Sequence, residues 1–139
     1  MELLVALAVV GVLAGIGVSL LPREGMAVTQ GQRIMASAVQ FGRFEAIKRN
    51  FAVEVTFPAG ATEIVVRREG GIVLRRFPLD PQASRVTVQS VDPNGTITFN
   101  ARGVAVSPIS RTVVIGIPGR EAHDRTLIVS GQGAVRSGS

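Results

Sequence analysis

A carboxylate stands at the tip of a segment built for hydrocarbon. Glu2 is followed by residues 3–21, nineteen positions of which Ser19 alone is polar. As a helix, at ~1.5 Å per residue, the run reaches about 28 Å, close to the apolar thickness of a bilayer. A lone charge held in hydrocarbon is costly, so Glu2 calls for a partner. Three kinds of segment fit. A secretory signal peptide would be removed, and Gly25-Met26-Ala27 has a small-x-small form. Against it, the start carries Glu2 and no Lys or Arg, and the run exceeds the about 7–15 apolar residues usual there. A plain membrane anchor leaves Glu2 unexplained. A helix that leaves the bilayer to pack among like helices gives Glu2 a cationic neighbour. Within the run, Gly11 and Gly15 form a GxxxG spacing that permits close helix–helix approach. Gly17 and Pro22 weaken the helix locally.

A second helical pattern follows Pro22-Arg23-Glu24-Gly25. Ile34, Ala38, Phe41, Phe44, Ile47 and Phe51 recur at steps of three and four, while Arg33, Gln40, Arg43, Lys48 and Arg49 lie mostly off that stripe. The spacing predicts an amphipathic helix over residues 30–50, with the Phe stripe packed into a core. Glu45 and Arg49 stand at i,i+4 in the favourable order.

From residue 52 the period changes to two. Val53, Val55 and Phe57 alternate with Glu54 and Thr56 before a Pro58-Ala59-Gly60 turn. Residues 63–68 and 72–77 flank Glu69-Gly70-Gly71 as a tight hairpin. Residues 85–89 and 96–99 flank a turn at Asp92-Pro93-Asn94-Gly95, and 112–117 and 126–129 flank Pro118-Gly119-Arg120. Six or seven strands with short connections are expected. The core rests on Val, Ile and Leu, since the chain has six Phe and neither Tyr nor Trp. One long helix on antiparallel sheet makes the fold α+β.

The sequence argues against catalysis. His123 is the only His; Asp124 and Ser130 lie nearby, but nothing supplies an oxyanion hole. With no Cys and no second His, a metal site of the usual ligands is not expected. Gly131-x-Gly133 precedes no helix pattern and no Lys-Ser/Thr, so it reads as a turn. No catalytic residue, metal or cofactor is expected. Net charge is +5, and every cation except Lys48 is Arg. Arg67, Arg68, Arg75 and Arg76 occupy both arms of one hairpin, where at least two could converge on each face. Their forks suit phosphate. A solvated charged face or a protected sheet edge explains them as well.

Several stretches resemble a known family. ELLVALAVVGVLA (residues 2–14) is similar to the N-terminal signature of type IV pilins and type II secretion pseudopilins. QFGRFEAIKRN (residues 40–50) resembles the end of the long helix in GspH/FimT minor pseudopilins. The block Ile97-Thr98-Phe99, Gly103, Val113-Val114-Ile115, Arg125, Ile128-Val129-Ser130 and Gly133 is similar to the same family. The likeness is strongest at residues 2–18 and 40–57 and looser over 58–95. It implies a pilin-like fold: a long N-terminal helix, its first half transmembrane, packed on a C-terminal antiparallel β-sheet domain. The expected units are residues 1–24, a membrane and filament-core helix; 25–51, its amphipathic continuation; and 52–139, a β-rich domain.

The same resemblance implies a structural subunit of a type IV pilus or type II secretion pseudopilus. Before assembly such a subunit is a single-pass protein of the bacterial inner membrane, its globular domain outside the cytoplasm. Its partners would be other pilin or pseudopilin subunits and the cytoplasmic membrane. Glu2 would take the role of the family's glutamate, which pairs with the N-terminal amine of an adjacent subunit. Family members carry a basic leader ending in Gly and a Phe-rich tetrapeptide before that glutamate. Here Met1 alone precedes it, so prepilin peptidase is a partner if a leader is encoded upstream. Some minor pilins of this family bind DNA in natural transformation through a C-terminal Gly-Arg-x-Arg. The matching stretch is Gly133-Ala134-Val135-Arg136, which keeps the second Arg and replaces the first by Ala134. DNA uptake is therefore the alternative function, with Arg120, Arg125 and the hairpin arginines as further contributors.

Overall fold

A computed structural model describes the chain apart from residues 1, 20–22, 84, 108 and 139; for residues 2, 11, 13–19 and 23 it describes the backbone alone. Two helices come first, α1 (Glu2–Ser19) and α2 (Arg23–Arg49). Eight strands follow: β1 (Val53–Thr56), β2 (Glu63–Arg68), β3 (Val73–Pro78), β4 (Thr87–Asp92), β5 (Thr96–Phe99), β6 (Arg111–Gly116), β7 (Arg125–Val129) and β8 (Val135–Ser137). The α+β class stands as the sequence predicts.

The strands divide into two antiparallel sheets, ordered β3-β2-β1-β5 and β4-β6-β7-β8. The hairpin β2–β3 forms as expected, and β6 and β7, the two strands expected on either side of Pro118-Gly119-Arg120, pair with each other. The turn at residues 92–95 does not close a hairpin. It carries the chain between sheets, because β5 pairs with β1 while β4 pairs with β6. Gly95 is held at the first sheet, where the Phe57 N–H donates to its carbonyl at 2.6 Å. β8 carries no run of apolar residues and is absent from the sequence reading. It forms because the Ser130–Ala134 turn folds the tail back along β7, with the Ser130 N–H donating to the Ala134 carbonyl at 2.8 Å.

α2 begins at Arg23, ahead of the expected start, and its buried stripe differs from the predicted one. Val28, Met35, Ala38, Val39 and Ala46 are fully buried, whereas Phe44 is 60% exposed and Ile47 50%. Phe41 and Phe51 lie half-buried at the margin of the core. The reason is distance. A Cβ on Gly31 would lie 3.1 Å from Val86 Cγ1 and 3.2 Å from the Leu79 carbonyl, with Ile115 of β6 close behind. A Cβ on Gly42 would lie 2.4 Å from Val55 Cγ2 of β1. The helix is thus seated on both sheets through glycine, and Phe41, Phe44 and Ile47 lie toward its flanks while Met35 is accommodated between the two glycines. Beneath the helix Phe57, Phe99, Leu79, Ile97 and Ile115 fill the shared core, joined by Met35 from α2 itself. Glu45 is buried at the edge of this face and ion-pairs with Arg49, as the i,i+4 spacing predicts.

Gly42→Ala measures the seat. Alanine favours helix by about 1 kcal/mol, but overpacking a tight contact costs about 1–3 kcal/mol. Urea denaturation of the detergent-solubilised chain should show a net loss of stability. Gly25→Ala, whose Cβ would meet only His123 Nδ1 at 3.7 Å, should show none.

Candidate functional site

On α1 the described side chains are bare on every side. Leu3, Leu4, Val5, Leu7, Val10 and Val12 are between 62% and 78% exposed. Their positions surround the helix rather than tracing a stripe, the pattern of a helix enclosed on all sides when in use. A contiguous apolar surface of this kind marks an interaction site. Glu2, Gly11 and Gly15 lie on α1, but their side-chain surroundings fall outside the described residues. Among the described residues no helix is long and apolar enough to cross a membrane; the described part of α1 stops at Ser19, ahead of Leu20 and Leu21.

The hairpin arginines separate by face. Arg68 is paired with Val53, and Arg75 with Val66, in register with the helix-side residues Ile64 and Val55. Arg68 Cζ stacks 4.7 Å from the centre of the Phe51 ring. Arg75 Cζ lies 5.5 Å from the Phe41 ring and 4.9 Å from that of Phe77, which meet each other edge-on. These two guanidinium planes roof the margin of the core where α2 meets the sheet. Arg67 and Arg76 fall on the opposite face, where Arg76 ion-pairs with Glu63 and Arg67 stands opposite Glu54. Two per face is what the alternation predicts, and Arg68, Arg75 and Arg76 already have structural contacts, while the Nε of Arg67 is buried with no hydrogen-bond partner among the described residues.

The remaining candidates are dispersed. Arg120 Nη1 donates to Glu24 Oε2 at 2.8 Å, tying the 3-10 turn at Glu121–His123 to the first turn of α2. His123 Nε2 lies 3.9 Å from the same oxygen, so His123 belongs to this junction. Arg125 is paired with the buried Ile115 and emerges on the α2 side of its sheet. Arg136 is paired with Ile128, out of phase with buried Leu127 and Val129, and emerges on the other side. The arginines that a C-terminal DNA grip requires therefore do not converge.

Two features escaped the sequence reading. Arg111 is 3% exposed, in phase with buried Val113 and Ile115 on β6. Its Nε donates to Asn94 Oδ1 at 3.2 Å and its Nη1 to the Ile109 carbonyl at 3.1 Å. It pairs with no acid among the described residues, and burial lowers its pKa. The strand alternation carries the signal for it: an Arg two residues before Val113. The second is a cleft along one flank of α2, lined by Arg33, Arg43 and Arg125. No spacing rule brings those three together.

Against known proteins, the family model for the type II transport protein GspH matches residues 27–133. A pilin-like protein, PilA1 of Thermus thermophilus, is 30% identical over 155 residues, covering 98% of this chain and 94% of the relative. Among solved structures, the type IV minor pilin FimU of Pseudomonas aeruginosa superposes with a TM-score of 0.65 at 21% identity, over 81% of this chain and 88% of that one. The minor pseudopilin EpsH of the Vibrio cholerae type 2 secretion system gives 0.58 at 10% identity, over 81% and 96%. At those identities the two structures speak for the fold.

The stacked arginines should be separable from the free ones by stability. Arg75→Ala removes two ring contacts and should cost about 1 kcal/mol. Arg136→Ala, on an open sheet face, should stay within about 0.5 kcal/mol of the parent. Paired urea melts report both.

Proposed function

The chain belongs to the GspH family, and from that membership we propose that it is a minor pilin or pseudopilin, a structural subunit of a type IV pilus or type II secretion pseudopilus. The observation that carries the reading is α1, an all-round apolar rod joined in sequence to a domain that already buries a complete core of its own. A helix whose described side chains, residues 3–10 and 12, are all exposed is not finished there by the domain that bears it. In the filament, neighbouring rods cover it, and in the membrane before assembly, lipid does.

On this reading residues 1–24 form the inner-membrane anchor and later the filament core, residues 25–51 the helix that seats the globular part, and residues 52–139 the outward-facing β-domain. The globular domain lies outside the cytoplasm, and the work done is mechanical rather than enzymatic. Glu2 supplies the directional contact. Its carboxylate, expensive alone in an apolar bundle, is neutralised by the terminal amine of the adjacent subunit, which fixes how far one rod advances past the next. Gly11 and Gly15 let rods approach closely.

Glu2→Lys puts like charge against the amine. The expected result is a subunit that still fractionates with the membrane but is absent from sheared filaments by immunoblot. Incorporation at the parental level would remove Glu2 from this role.

A further inference from the structure

Along one flank of α2 runs a continuous cleft whose far wall is the edge strand β8. Its first section, about 660 Å³, lies between Gly25, Thr29 and Arg33 of the helix and Arg125 of β7. A middle section continues past Arg33 and Ala36, facing Leu127, Val135 and Ser137. A third, about 500 Å³, lies between Arg43, Phe44 and Ile47 and the turn at Gly133 and Ala134. Shared residues join them, Thr29 and Arg33 between the first two and Val135 between the last two. From Gly25 to Ile47 the helix advances about 33 Å, the length of about ten residues of extended chain.

Side chains of β8 line this cleft, and along its rim the outer backbone edge of β8 is unpaired among the described residues. Ser130 N–H bonds the Ala134 carbonyl and Gly138 N–H bonds the Thr126 carbonyl. Antiparallel alternation then turns the N–H and C=O of Arg136 toward Ile128 of β7. The N–H and C=O groups of Val135 and Ser137 turn the opposite way, toward the open edge. An edge of this kind is a template for another strand. The side chains beside it are cationic. Arg33, Arg43 and Arg125 are exposed and form no ion pair among the described residues. Between them the floor is apolar, with Leu127 and Val135.

We propose that this cleft receives an extended acidic segment of a neighbouring filament subunit, added to the second sheet as a strand beside β8. Its backbone bonds Val135 and Ser137. Every second side chain faces α2. Arg33 and Arg43 are ten residues apart on the helix, about 15 Å, which matches acids four residues apart on a strand, about 13 Å. The pattern read by the cleft is acid-x-apolar-x-acid, with the apolar side chain beside Val135 at the edge of the apolar floor. That the partner is a filament subunit rests on the role proposed above. Strand capture itself needs no assembly, so its failure would leave that role standing.

The probe is the fluorescein-labelled peptide Thr-Glu-Thr-Val-Thr-Glu-Thr, titrated into the full chain in detergent and read by anisotropy. The peptide with Lys for both Glu, and an oligothymidine of similar length, run in parallel. The acidic peptide should bind, and Arg33→Glu with Arg43→Glu should weaken it about tenfold or more. Val135→Pro removes an edge donor that β7 does not use and should weaken it comparably. Amide NMR should place the largest shifts at Val135 and Ser137, which keeps the proposal testable if the proline variant unfolds. Four results would overturn it: no binding by about 1 mM peptide, equal binding of the Lys peptide, binding of the oligothymidine alone, or unchanged binding by both variants with parental melting.

Discussion

The closeness of α2 to two sheets at once sets the rest of the molecule. Gly31 meets the second sheet at Ile115 and its approach at Val86, and Gly42 meets the first at Val55. Glycine inside a helix costs roughly 1 kcal/mol against alanine at each position. The cost is offset by dispersion contacts along the whole seam, since a gap of a methyl's width would forfeit them on both sides. At its two points of closest approach, Gly31 and Gly42, a helix that sits this low has no room for a side chain; Met35, between them, is buried, but the rings find no place on that face. They move to the flanks, which is why Phe41 and Phe51 lie at the margin and Phe44 and Ile47 stand in solvent. Arginines from the adjoining hairpin then cover two of these rings. Packing distance, side-chain placement and the fate of the arginines form one causal chain.

Much of the fold was legible in the chain. The change of period near residue 52, the Gly-rich turn at residues 69–71 and the strands on either side of residues 118–120 all stand. What failed did so for physical reasons. The Phe stripe on α2 follows from size and spacing, and size misleads where the backbone itself touches the sheets; Gly31 and Gly42, eleven positions apart, are the better signal. The turn at residues 92–95 has hairpin chemistry, yet turn residues fix a local reversal and not which strand lies across from which. β8 is too short and too polar to announce itself, and depends on a partner strand already in place.

The arginines show the same division between local and long-range information. Alternation correctly puts the hairpin four on two faces. It cannot say that Phe51, Phe41 and Phe77 wait beneath one pair while Glu63 engages Arg76 of the other. Arg120 finds Glu24 across 96 positions of sequence. Arg33, Arg43 and Arg125 line one cleft because a helix and two strands happen to run side by side there. A net charge of +5 therefore says little until each cation has been assigned its neighbour.

Rod and domain place different demands on an assembly. Apolar burial is strong but non-directional, so bare rods such as α1 can slide and rotate past one another at little cost. Something polar must set the register, because a misplaced charge is penalised where a misplaced methyl is not. In the proposed filament Glu2 sets axial position at the core. One contact at the end of a rod leaves rotation about the rod free. A second directional contact far from the axis, such as strand pairing at an edge flanked by arginines, would fix that remaining angle. The basic cleft beside β8 stands on the β-domain, which in the proposed filament lies farthest from the axis and gives such a constraint the longest lever arm.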